Sequence, residues 1–324
     1  MPFLNPREAE QLETKQKFSE EKLGKIKEEI SSSSTFSSEE FKNLCVYTTG
    51  SFARSEATDK SDLDIFIIGE NINEQHHYGK IDEIKIFSEL IRINKKLKFP
   101  EFSNDGEFLK IFKYNEVTGI IGSPSDDHHN WFTARMLFIL ESKCIYNQEK
   151  YDDFIKRIFQ FYLRDKDHDN FKLYFLLNDI LRFWRTLCLN YEASRTRQKK
   201  WEKKNISLKF SRRLTVFATI IYIFVFNITS EDDLINMIQK TPWDRLKESI
   251  EKLNTENINL IYEEFKKEYY EFLDLKEKYD PTISNIDIAE NLKKLGESNT
   301  FKKLISSILL HESIDEDLRL FLIS

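Results

Sequence analysis

Glycine and proline are scarce in this 324-residue chain, 8 and 6 residues against the ~7% and ~5% of an average protein, while phenylalanine alone supplies 27. That scarcity excludes a collagen-like chain, a turn-rich sandwich and Pro/Gly-rich disorder, and it favours long helices. Cysteine is nearly as rare. Cys45, Cys144 and Cys188 are isolated and odd in number, with no CxxC pair, which argues against a disulfide framework or a structural zinc and suits a reducing cytoplasm. Neither charge sign dominates: 49 basic and 55 acidic residues leave a net charge of -6 and no global attraction to nucleic acid. The N-terminus, MPFLNPREAEQLETKQK, carries no apolar leader. The most apolar run, Leu214–Phe226, has 13 residues against the ~20 that span a bilayer, so it reads as a buried core element and no membrane is expected.

The glycines are unevenly placed: six of them, from Gly50 to Gly122, fall in one 73-residue window. A short, turn-containing region is therefore expected inside a helical chain. Residues 7–30 alternate charges with Leu, Phe and Ile at helical spacing and stop at the serine run 31–34, giving a solvated helix and a linker over residues 1–36. A second helix is expected from Ser37 or Ser38, where a hydroxyl can cap and Glu39 and Glu40 suit the positive helix end. Leu44–Thr48 and Leu63–Ile68 are β-favouring runs that end at Gly50 and Gly69. Lys80–Leu97 has apolar residues near a 3.6 period and stops before Pro100, the pattern of a helix laid on a sheet. Beyond Asp126, the segments Trp131–Tyr146, Tyr151–Leu163, Phe171–Tyr191 and Leu234–Leu260 all carry helical apolar spacing. The expected class is α+β: a small mixed sheet with helices over 37–125, followed by an all-α domain over 126–324.

The chemistry concentrates in Thr49–Ile68, TGSFARSEATDKSDLDIFII. A Gly-Ser pair leaves a strand into a turn, and the chain returns with Asp62 and Asp64 at i, i+2 on a β-favouring segment. Alternation sends both carboxylates to one face and Leu63 into the core. Two neighbouring carboxylates repel unless a cation sits between them, and oxygen ligands of this kind suit Mg²⁺, which keeps waters and takes substrate phosphate oxygens. Gly50 lets backbone approach a ligand, and the Ser51 hydroxyl and amide can donate to phosphate.

With those residues in view, GSFARSEATDKSDLDIFII resembles the signature of the DNA polymerase β-like nucleotidyltransferase superfamily, a GS pair shortly before a DxD pair. Its form here, GSxxRxExxxxSDxD, is similar to the bacterial minimal and PII-uridylyltransferase-like branches. Asp126–Ser142, Asn178–Glu192 and Lys209–Arg213 resemble the helical part of bacterial nucleotidyltransferase-like proteins. The resemblance implies a polymerase β-like palm and an EC 2.7.7-type enzyme. A hydroxyl of a protein, RNA or small molecule attacks the α-phosphorus of an NTP, ATP being one candidate, and pyrophosphate leaves. It implies that Gly50 and Ser51 grip the β- and γ-phosphates, that Asp62 and Asp64 bind Mg²⁺ or Mn²⁺, and that Ser61 belongs to the same nucleotide-binding pattern. Arg54 is either a phosphate fork or the salt-bridge partner of Glu56. The superfamily's further carboxylate has as candidates Glu101, first, then Asp105 and Glu107. Without it the chain would be a nucleotide-binding regulatory module; synthesis of an oligonucleotide signal shares the same motif.

One stretch runs against the acidic whole: residues 195–213 hold nine basic side chains and one acidic. Lys209, Arg212 or Arg213 would reach a triphosphate, or the stretch would contact RNA with Trp201 stacking on a base; a solvated basic loop is the alternative. Arg182 and Arg185 sit in an aromatic helix and need anionic partners, for which Asp179 and Glu192 qualify as well as a phosphate. Asp126, Asp127, His128 and His129 invite a metal reading, yet consecutive residues at a helix start point in different directions and acids there also cap.

Overall fold

The computed structural model describes residues 6–70, 78–102, 106, 109–119, 121–196, 205–278 and 286–323. It divides into two compact units: Glu13–Arg164, and Asp165–Ser324 together with the first turns of the N-terminal helix.

The first unit is built on a mixed four-stranded sheet. Strands β1 (Leu44–Thr48) and β2 (Ile65–Gly69) pair antiparallel, with Thr48 opposite Ile65. A third strand, β3 (Ile111–Lys113), lies parallel beside β2, and β4 (Lys143–Tyr146) lies antiparallel on the other side of β1, in the order β3-β2-β1-β4. Every residue of β1 and β2 is buried, because both faces of the sheet are covered. On one face Leu44, Val46, Ile65 and Ile67 meet Leu23, Ile26 and Ile30 of α1 (Pro6–Ser31) and Ile86, Leu90 and Ile93 of α3 (Lys80–Lys96). The alternate residues Tyr47 and Phe66 face the other way and stack at 5.7 Å. There the Tyr47 ring lies 4.6 Å from Phe138 of α6 (Trp131–Leu140), and its hydroxyl donates to Ala134 O at 3.3 Å. Behind them packs α7 (Gln148–Tyr162). Between these elements lie the short helices α2 (Gly50–Ala53), α4 (Tyr114–Gly119) and α5 (Pro124–His128).

Four expectations change in this unit. The N-terminal helix ends where expected but is not solvated: Leu23, Ile26 and Ile30 are at most 5% exposed, so α1 is one wall of the sheet's core. The helix expected after the linker is a single 3₁₀ turn, Glu39–Phe41, capped by Ser38 Oγ, which accepts from Glu40 N at 3.2 Å. Trp131–Tyr146 is not one helix. It breaks after Leu140, and Lys143–Tyr146 becomes β4, because the edge of β1 offers backbone partners that local periodicity does not encode. The boundary expected near 125 therefore falls inside the first unit, which runs to Arg164.

The second unit is helical among its described residues: α8 (Tyr174–Thr196), a π-turn (Leu208–Arg212), α9 (Arg213–Phe226), α10 (Glu231–Gln239), α11 (Pro242–Leu253), α12 (Glu256–Lys278), α13 (Ile286–Glu297), α14 (Thr300–Leu309) and α15 (Glu316–Ile323). The apolar run 214–226 is the buried helix α9. The expected helix 234–260 is three. Thr241 caps α11, its Oγ1 accepting from Asp244 N at 3.2 Å while Asp244 Oδ2 accepts from Thr241 N at 3.3 Å, Pro242 occupies the first position, and Asn254 ends that helix in the left-handed region at φ 45°. No helix among the described residues is long and apolar enough to cross a membrane.

Candidate active site

The end of β1 and the start of β2 bring the GS pair and the DxD pair together. Thr48 Oγ1 and Thr49 N both donate to the Asp64 carbonyl, at 3.0 and 2.9 Å. The chain then turns through Gly50, whose φ of +68° is a left-handed conformation that costs any other residue strain. A Cβ at Gly50 would also collide with Asp64 Oδ2. Glycine is required twice at this position, by the backbone and by the carboxylate packed on it. Arg54 N donates to Gly50 O at 3.0 Å and Glu56 N to Ser51 O at 2.8 Å, fixing the turn that follows.

Asp62 and Asp64 lie in the irregular segment just ahead of β2, rather than within the strand. Leu63 between them is 3% exposed and belongs to the core, whereas both acids are half-exposed. Ser51 is half-exposed as well, with no hydrogen-bond partner for its hydroxyl among the described residues. Ser61 closes a turn: its Oγ accepts from Thr58 N at 3.0 Å and its N donates to Thr58 O at 3.0 Å. No group of three or more His, Cys, Asp and Glu side chains forms a metal cage among the described residues. The donor set is a pair of half-exposed carboxylates, which fits a hard cation that completes its shell with water and phosphate oxygens, and does not fit a closed zinc site.

Arg54 turns away from a free phosphate role. Its Nε donates to Glu56 Oε2 at 3.0 Å and its Nη1 to Glu141 Oε2 at 2.8 Å, and the three side chains are at most 5% exposed. The salt-bridge alternative is what the structure contains, extended by a carboxylate 87 residues away that no local pattern could reveal. Beside it, Lys143 Nζ donates to Ser55 Oγ at 2.8 Å, and Ser55 itself is left-handed at φ 60°. From the other side Ser19 of α1, fully buried, accepts from Ala57 N at 3.1 Å. Glu141, Lys143 and Ser19 thus hold the connector between the two motifs, and sequence reasoning missed all three.

Glu101 is exposed in the loop after α3, not on a strand beside β2, so the strand context that a further carboxylate requires is missing at that residue. Asp105, Glu107 and Trp201 lie outside the described residues, as does 197–204 of the basic stretch. Lys209 and Arg213 belong to the helical unit, where Lys209 Nζ donates to Gly296 O and Arg213 lies over the Trp184 ring at 5.6 Å. Arg182 pairs with Asp179 at 3.6 Å, the structural alternative for that residue. Asp126 is fully buried in a two-toothed pair with Arg135, at 3.1 and 2.8 Å, and accepts from Gly122 N at 3.1 Å; both its oxygens are committed to the fold, the structural alternative for that residue.

Residues 13–112 match the family model for the nucleotidyltransferase domain. This segment is a nucleotidyltransferase domain. The match is consistent with the polymerase β-like nucleotidyltransferase superfamily and supports nucleotidyl transfer as the domain's general activity, with an NTP as substrate. It starts within α1, in keeping with that helix's place in the core, and ends within β3, so the nucleotidyltransferase domain as matched holds the GS and DxD segments but not β4 or Glu141. No curated protein and no solved structure matches the chain.

Proposed function

We propose that the chain is an Mg²⁺-dependent nucleotidyltransferase that moves a nucleoside monophosphate from an NTP to a hydroxyl acceptor. The acceptor oxygen forms a bond to the α-phosphorus, the bond from that phosphorus to the bridging oxygen breaks, pyrophosphate leaves, and the hydroxyl proton passes to a base. Asp62 and Asp64 would hold the cation, which lends Lewis acidity to the phosphoryl centre. The observation that carries the reading is the packing of Asp64 on Gly50: it puts a carboxylate beside a backbone turn with a half-exposed serine, the combination that metal and phosphate need side by side. The test is pyrophosphate release from labelled NTPs, with cell extract as the acceptor source. Asp62→Asn and Asp64→Asn should each lose at least a hundredfold in turnover while melting within a few degrees of the parent chain. Unchanged turnover in both overturns the proposal. A second reading rests on the absence, among the described residues, of a third carboxylate joined to Asp62 and Asp64: metal-dependent NTP binding without pyrophosphate release would make the domain a regulatory nucleotide binder.

A further inference from the structure

The helical unit contains a group of basic side chains that lies outside the matched nucleotidyltransferase segment. Residues 208–212 form a π-turn continuous with α9. Turns of this type are rare and widen the helix, and they occur frequently at functional sites. Here the widened turn carries Lys209 and delivers Arg213 one helical step further on. The Arg213 guanidinium rests over the Trp184 ring of α8, 5.6 Å from its centre, and has no ion pair and no hydrogen bond among the described residues. Burial draws its pKa down, with only the Cys188 thiol acting against it. Lys209 is half-buried; burial, Arg213 and Lys302 of α14 all lower its pKa, and Glu297 opposes them. Its ammonium reaches Gly296 O in the last turn of α13, which fixes the side chain without neutralising it.

A half-buried guanidinium with no acid partner among the described residues, next to an ammonium that it repels, is an arrangement that costs folding free energy unless an anion completes it. Guanidinium matches the oxygens of phosphate in a two-pronged fork, and a lysine adds a point charge. We propose that Arg213 and Lys209, with Lys302 at the rim, form a phosphate-binding site of the helical unit. The ligand class is a phosphate oxyanion, from a free phosphate compound or from the backbone of single-stranded RNA. The site stands whether or not Asp62 and Asp64 support transfer.

The test uses the full chain carrying Asp62→Asn and Asp64→Asn, without added metal, so that binding at the GS–DxD segment does not contribute. Titration calorimetry at low salt has two arms, inorganic pyrophosphate and a short oligouridine RNA. At least one should bind, and Arg213→Met, which keeps a stem against Trp184, should weaken it tenfold or more, while Arg213→Lys keeps part of the affinity. Arg213→Met should also leave the melting temperature unchanged or raise it, since a charge without a partner is removed; a structural arginine would lower it. Binding of pyrophosphate identifies a free phosphate ligand, and binding of RNA alone identifies the nucleic-acid backbone. If Arg213→Met fails to fold, Lys209→Gln carries the same comparison. No binding in either arm, or binding that neither variant weakens, overturns the proposal.

Discussion

Asp64 lies against the bare α-carbon of Gly50, held there because Thr48 and Thr49 both bind its carbonyl. The first residue of the GS pair and the last of the DxD pair are thus one packed contact. Gly50→Ala should cost roughly 1–2 kcal/mol for the left-handed backbone alone, and displacing the Asp64 carboxylate adds to it. Urea unfolding and pyrophosphate release should fall together, with turnover the more severely affected.

The buried group Arg54–Glu56–Glu141 sets two carboxylates on one guanidinium. Removing the arginine leaves two facing buried acids, so Arg54→Met should destabilise by roughly 3–5 kcal/mol. Glu141→Gln keeps a hydrogen-bonding side chain and leaves Arg54 with Glu56, at a cost of roughly 1–2 kcal/mol. Denaturant midpoints that reverse this order contradict the arrangement.

Asp126 and Arg135 are both fully buried, and Arg135 also donates to Val117 O at 2.6 Å and to Tyr162 Oη at 3.1 Å. Asp126→Ala strands a charge in the core and should cost roughly 3–5 kcal/mol. The paired change Asp126→Leu with Arg135→Leu should recover a large part of it. Added Mg²⁺ or Zn²⁺ should alter none of these values, because the carboxylate is already occupied.

Arg157 binds Glu70 through two bonds at 3.2 and 2.9 Å, and its hydrogen bonds hold the Glu70 carboxyl below the ordinary glutamate value of 4.5. A depressed carboxylate stabilises the fold above the unfolded pKa and loses that contribution as pH falls through the folded one. Both side chains keep about a third of their exposure, so the contribution is at most about 1 kcal/mol. Arg157→Met should unfold more easily than the parent at pH 7, and the difference should begin to shrink as the pH falls below the unfolded value of 4.5 and vanish once the pH lies under the lowered folded-state value. A gap that persists in acid points to the packing of Arg157 on Tyr114, 4.0 Å from the ring centre, instead of the charge.

Much of the fold was legible because period and punctuation act locally. The apolar, β-favouring runs gave β1 and β2, the 3.6 period before Pro100 gave α3, and the single buried apolar run gave α9. Errors fell where the deciding partner is remote. α1 looks solvated by its charges until the sheet takes Leu23, Ile26 and Ile30, and Lys143–Tyr146 reads as helix until β1 pairs with it.

At the candidate site the same division holds. The sequence by itself determined that a glycine turn and two carboxylates flanking an apolar residue would lie at neighbouring strand ends, since strand alternation and turn chemistry depend only on nearby residues. The tertiary structure alone decided that Asp64 packs on Gly50, that Arg54 is spent on Glu56 and Glu141, and that Arg213 lies over the Trp184 ring. Those outcomes depend on which distant side chain fills the low-dielectric space beside a charge, and no local pattern carries that information.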